Sequence, residues 1–213
     1  MKKQLLLLCT AIISILANAQ ITVTQTDLPN VNSAFVFRAD TLFTGSPGTS
    51  GANQTWNFAS LLNHGNDTIG FISPTGTPGA ASFPTANLCI ADFTNGFFIY
   101  FLKSATEFSQ LGYYGDLGFG MNPYPLMPAQ KFLTFPSTFN TNFTNASVVV
   151  VQGPFNNPPI DSIRIRRRIV QNSTIDAWGS LTTPTGTYNT IRQNLYELTY
   201  ESVITKAFGL WTF

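Results

Sequence analysis

The chain has one histidine, two cysteines and few charges, with charged residues making up 10% of 213 positions. Each scarcity removes a class of chemistry. His64 sits in Asn63-His64-Gly65-Asn66, a loop sequence, and any Ser-His-Asp or Cys-His arrangement would have to use it. A single loop histidine reads as a solvated polar residue, and no catalytic residue is assigned. One histidine and so few cysteines cannot supply the four ligands of a structural zinc site; loops of Asp, Asn and carbonyl oxygens leave calcium open, but the spacing of an EF-hand is missing, and no metal or cofactor is assigned. After residue 20 no long stretch places apolar residues at helical spacing, which argues against helical architecture.

The longest apolar run lies at the start. Lys2 and Lys3 precede an apolar stretch from Leu5 to Leu16, and Ala17-Asn18-Ala19 follows as a small-x-small site, the three parts of a cleavable export signal. A helix over that stretch rises only about 18 Å, short of the roughly 30 Å hydrocarbon core, so residues 1–19 are expected to be cleaved rather than to stay as an anchor. Cys9 follows three leucines instead of small residues, which disfavours lipidation. Cleavage removes Lys2, Lys3 and Cys9. The formal charge of +1 then falls by two, to one net negative charge, and Cys89 remains alone without an internal disulfide partner. No electrostatic case for nucleic acid remains, and no integral membrane segment is expected after cleavage.

What is abundant is aromatic: 19 Phe, 7 Tyr and 3 Trp. They recur in short alternating runs between Gly, Pro and Asn clusters, the pattern of antiparallel strands. The expected fold of residues 20–213 is a single all-β domain, an antiparallel β-sandwich or a strongly curved open sheet forming a half-barrel. Strands are predicted at 21–26, 34–37, 41–44, 54–58, 68–72 and 87–94, then at 145–152, 160–172, 177–182 and 187–205. Asn95-Gly96 predicts a tight hairpin turn pairing 88–94 with 97–103. Residues 112–128, with three prolines, read as a loop rather than a central strand. Pro-Thr-Gly-Thr occurs at 74–77 and at 184–187, and both copies read as turns.

Three segments, Gly51-Ala-Asn-Gln-Thr-Trp-Asn-Phe58, Tyr113-Tyr-Gly-Asp-Leu-Gly-Phe-Gly120 and Asp176-Ala-Trp-Gly-Ser-Leu-Thr-Thr-Pro-Thr-Gly-Thr-Tyr-Asn-Thr-Ile-Arg192, carry a resemblance. With them the chain resembles a group of uncharacterised Bacteroidota-type secreted β-rich proteins that usually carry a C-terminal sorting domain for type IX secretion. The resemblance implies a secreted or cell-surface β domain, with the periplasm as the other destination, and brings no catalytic residues. The sorting domain is missing here, and the sequence stops at Leu210-Trp-Thr-Phe213 in mid-strand, as a truncated chain or one using another route would. The resemblance also implies O-glycosylation at Asp followed by Ser or Thr and an apolar residue, which marks Thr41, Thr68 and Ser162.

Two groups of residues are candidates for binding. Tyr113, Tyr114 and Tyr124, in the Gly/Pro-rich segment, would stack on sugar rings if they stood exposed on a loop. Arg164, Arg166 and Arg168 alternate with Ile163, Ile165 and Ile169, so three guanidinium groups should leave one sheet face at about 6.6 Å intervals and could hold a sulfated or uronic polysaccharide. The competing reading is a solvated face neutralised across strands by Glu197, Glu201 or Asp161. Arg167 falls on the isoleucine face, where a buried guanidinium would demand a partner, so a sheet edge or a bulge is expected there. Glu197 and Glu201 share a face but lie about 13 Å apart along a strand, too far to serve one glycosidic bond.

The functional expectation is therefore a non-enzymatic binding or adhesion module with a glycan or cell-surface partner. The first alternative is a carrier for an apolar ligand in a curved-sheet cleft, with Phe97-Phe98-Ile99-Tyr100-Phe101-Leu102, apolar on both faces, either sandwiched in a core or lining a cavity. The second is a polysaccharide-active enzyme, which needs two carboxylates in a cleft.

Overall fold

A computed structural model describes residues 20–212; the predicted signal, 1–19, lies outside the described residues. The chain is all-β, and its strands join into a single open sheet that does not close into a barrel. In chain order they are β1 (Ala34–Ala39), β2 (Gly51–Asn57), β3 (Gly65–Ile72), β4 (Leu88–Asp92), β5 (Phe97–Lys103), β6 (Glu107–Asp116), β7 (Met121–Thr134), β8 (Asn142–Asn157), β9 (Ile160–Thr183), β10 (Gly186–Ala207) and β11 (Leu210–Thr212). Neighbours follow the order β1-β3-β4-β5-β6-β7-β8-β9-β10-β11, all antiparallel, while β2 runs parallel to the last third of β9. Among the described residues no helix is long and apolar enough to cross a membrane.

The sheet bends at one seam. β7 meets β8 at a single register pair, Met127 with Val148, whereas β8 and β9 are paired along nearly the whole of β8. In a flat sheet β5 and β9 would lie about 19 Å apart. Yet Phe97 of β5 and Ile165 of β9 line one cleft, so the β4–β7 half folds over the face of β8–β9. The tip of the β6–β7 hairpin completes the fold: Phe119 lies so close over Gly153 of β8 that a Cβ there would overlap its ring. Tyr124, Leu126, Val149, Val151 and Ile169 are buried between the two halves.

A second core fills the back of the first half. Tyr100, fully buried, stacks on Phe83 at 4.5 Å, and its hydroxyl is satisfied by Thr77 Oγ1 at 2.8 Å and the Gly79 amide at 2.9 Å. Burying such a ring stabilises the fold by about 2–3 kcal/mol because its one polar atom keeps hydrogen-bond partners. Phe98 joins this core while Phe97 lines the cleft, so the apolar run 97–102 serves a core on one face and a cavity on the other.

Several strand expectations need correction. Residues 112–128 are not a loop but most of the β6–β7 hairpin; three prolines are tolerated in β7 because most of its edge toward β8 makes no ladder. Residues 21–26 contribute only a bridge at Val23 and a short 3₁₀ turn, and 41–44 form no strand. The predicted strands 160–172 and 177–182 are one strand, β9, continuous through a bulge beside Asp176. The 92–97 connection has four residues rather than two. Only Gly96 adopts positive φ, and the Asp92 carboxylate accepts from the Thr94 and Asn95 amides.

Candidate functional site

The twofold alternation of β9 sends its even and odd residues to opposite faces. On the outer face Arg164, Arg166 and Arg168 stand in a row, opposite Ile204, Ser202 and Tyr200 on β10 and opposite Gln152, Val150 and Val148 on β8. The Arg164 guanidinium lies 4.2 Å over the Trp211 ring, and its Nε donates to Gln152 Oε1 at 2.7 Å. Arg168 lies 6.0 Å over Tyr200. Tyr196, 58% exposed, extends the aromatic edge four residues beyond Tyr200, on the same face. Among the described residues, none of the three arginines has a carboxylate partner.

The carboxylates expected to neutralise them face the other way. Glu201 lies opposite Arg167 and accepts from its Nε at 2.6 Å and its Nη2 at 2.5 Å. Glu197 lies opposite Gln171 and accepts from Gln171 Nε2 at 2.9 Å and Gln130 Nε2 at 3.4 Å. Arg167 thus has the partner it requires, but not the edge or bulge anticipated for it; it sits mid-strand in β9 with the pair half exposed. The two glutamates share a face and are each committed to hydrogen bonds, so they do not form a catalytic pair.

Inside the bend Phe97, Tyr113, Leu117, Val149, Val151, Ile165, Arg167 and Ile169 line a cleft of about 340 Å³. Arg167 is its one charged residue, and no carboxylate lines it.

The tyrosines of the first candidate group are placed differently from the expectation. Tyr124 is 3% exposed, in the core. Tyr113 packs beside Phe97 at 5.7 Å on the cleft wall, and Tyr114 makes an edge contact with Phe98 at 6.3 Å. They belong to a paired hairpin, whose pleat turns them into packing surfaces, and they form no exposed stacking platform. On the arginine face the exposed aromatic residues are Tyr196 and Tyr200, with the half-buried Trp211 under Arg164. Their signal was present in Tyr196-Glu197-Leu198-Thr199-Tyr200-Glu201, where the period of two separates tyrosines from glutamates.

Among the Asp-Ser/Thr positions, Thr41 and Thr68 are exposed and Ser162 is half-buried within β9. The Asp40 carboxylate is held below the usual carboxylate range by the amides of Leu62 and Leu42, with His64 Nδ1 3.1 Å away. Cys89 is fully buried, and burial pushes its thiol up to about 12, so it carries no thiolate near neutral pH.

One ion pair braces the bulge of β9. Arg192 donates from Nε and Nη2 to both Asp176 oxygens at 2.8 Å, and from Nη1 to the Gly48 carbonyl at 2.6 Å. The hydrogen bonds from Arg192 hold Asp176 below the usual carboxylate range. Next to it, Gly179 lets the β2 backbone approach so closely that a Cβ would overlap the Gln54 carbonyl.

No family model, curated protein or solved structure matches the chain.

Proposed function

We propose that this protein is an exported, non-enzymatic binding module, secreted or at the cell surface, that holds an acidic polysaccharide against the outer face of β8–β11. One observation carries the reading. Three evenly spaced arginines without carboxylate partners share a face with Tyr196, Tyr200 and Trp211, while the nearby glutamates point to the opposite face. Guanidinium groups pair bidentately with carboxylate or sulfate, and exposed aromatic faces stack on sugar rings. The spacing of about 6.6 Å suits a polymer carrying repeated charge. The test is retention on an immobilised polyuronate or sulfated glycan against a neutral polymer of the same length. Retention on the acidic matrix alone, released by molar salt that shortens the screening length to about 3 Å, supports the reading; equal retention on both matrices contradicts it.

A second reading is favoured by the cleft. Its lining is apolar except for Arg167, whose charge Glu201 already answers, which suits an apolar ligand, as a carrier would hold. Lipid co-purified with the protein in a native mass spectrum, and lost on Val149→Trp, is its expected signature; a ligand-free mass from the native host counts against it.

A further inference from the structure

The outer strand of the C-terminal half is open along most of its length. β10 pairs with β9 over its whole span, but β11 covers it only from Thr205 to Ala207. From residue 193 to 204 the other edge has no strand neighbour, and no loop or side chain of the described residues hydrogen-bonds to its main chain. Residues 193–201 are exposed on both faces.

Natural edges of this length are blunted by proline, lysine, bulges or covering loops. This one has none of them. Between 193 and 204 there is no proline or lysine, and the register irregularities fall outside the segment, at Arg192/Gln193 and Lys206/Ala207. Its only charges, Glu197 and Glu201, are already committed to Gln171 and Arg167. At the opposite end of the sheet the other edge, β1, is only six residues long.

We propose that a second copy of this chain pairs with the free edge of β10, antiparallel and across a two-fold axis at Leu198, making one sheet continuous through both copies. Charge and shape select that register. An axis at Glu197 sets Glu197 against itself, and one at Thr199 sets Glu197 against Glu201 twice; like charges directly opposite are destabilising. An axis at Leu198 sets Glu197 against Thr199 and Glu201 against Leu195. On the outer face it sets Leu198 against Leu198, with Tyr196 against Tyr200 on each side. It also lies near the middle of the unpaired segment, so a dozen residues on each chain gain partners before β11 intervenes.

Pairing of this kind does not require a glycan, although it would place the two arginine rows on one surface, three strand spacings or about 14 Å apart.

Light scattering on the eluting exported chain is the test, with Leu198→Lys beside it. Twice the chain mass is expected for the wild type and a single mass for L198K, which puts two ammonium groups face to face across the axis. L198C is the second variant: mild oxidation should give a covalent dimer through residue 198, while V203C, which faces Gln193 of the other copy, should not. Cys89 is buried and does not compete. A wild type that is monomeric at its highest soluble concentration, a dimer that survives L198K, or L198C that does not cross-link overturns the proposal. If L198K fails to fold, L198C decides alone.

Discussion

The two faces of β9 carry the same residue type to different ends. On the inner face Arg167 lies among Ile165 and Ile169, and the structure supplies Glu201 opposite it. On the outer face Arg164, Arg166 and Arg168 stand with glutamine, serine, valine and tyrosine across from them, and with no carboxylate. Four arginines within five residues therefore divide into one internal ion-pair member and three unneutralised cations. What separates them is the parity of their positions: Glu197 and Glu201, four apart, share a face with Arg167, and neither can turn to the outer row without breaking the strand. Charge left unneutralised on a face beside exposed aromatic rings has its affinity available for a ligand.

That contrast depends on the register of β9 against β10, which shifts at the bulge beside Asp176, so the largest effect on stability should come from the ion pair there. Asp176→Asn removes the charge that Arg192 grips with two hydrogen bonds and should lower stability by about 2 kcal/mol at neutral pH in urea titrations. The carboxyl of Asp176 is depressed in the folded state, so its contribution is present above the unfolded value of about 3.9 and is lost as pH falls through the lower folded value. The wild-type advantage over D176N should accordingly shrink below about pH 4. An advantage that stays constant down to pH 2 would show that packing, not charge, holds the bulge.

A smaller effect sharpens the outer face itself. Tyr200→Ala removes an exposed ring available to stack on a sugar, and aromatic contacts of this kind are worth about 0.5–1.5 kcal/mol, so binding of an acidic glycan should weaken about threefold. An unchanged affinity would remove the aromatic residues from the site and leave the arginines alone in it.

Much of the fold was legible in the sequence, because alternation is a local signal. The arginine and isoleucine faces of β9, the hairpin ending at Phe97 and the turn at Pro184-Thr185 all follow from residues within a few positions of one another. What was hidden depends on partners distant in the chain. Pro123, Pro125 and Pro128 argue against a strand unless it is known that β7 scarcely pairs with β8. The break anticipated near residue 175 is a bulge stabilised by Arg192 and Gly48, the latter far away in sequence. The tyrosines at 113, 114 and 124 looked like loop aromatics for the same reason: the bend that encloses them is made where β8 and β9 arrive.

The most direct test of the site is the affinity for a polyuronate of the triple variant R164Q/R166Q/R168Q measured beside R167Q, both checked for retained strand signal by circular dichroism. Loss of three charge-assisted contacts at about 1.5–3 kcal/mol each predicts that the triple variant binds at least about a hundredfold more weakly, while R167Q keeps wild-type affinity and loses only stability. Equal losses in the two variants, or a triple variant that binds as the wild type does, would contradict the division between the two faces.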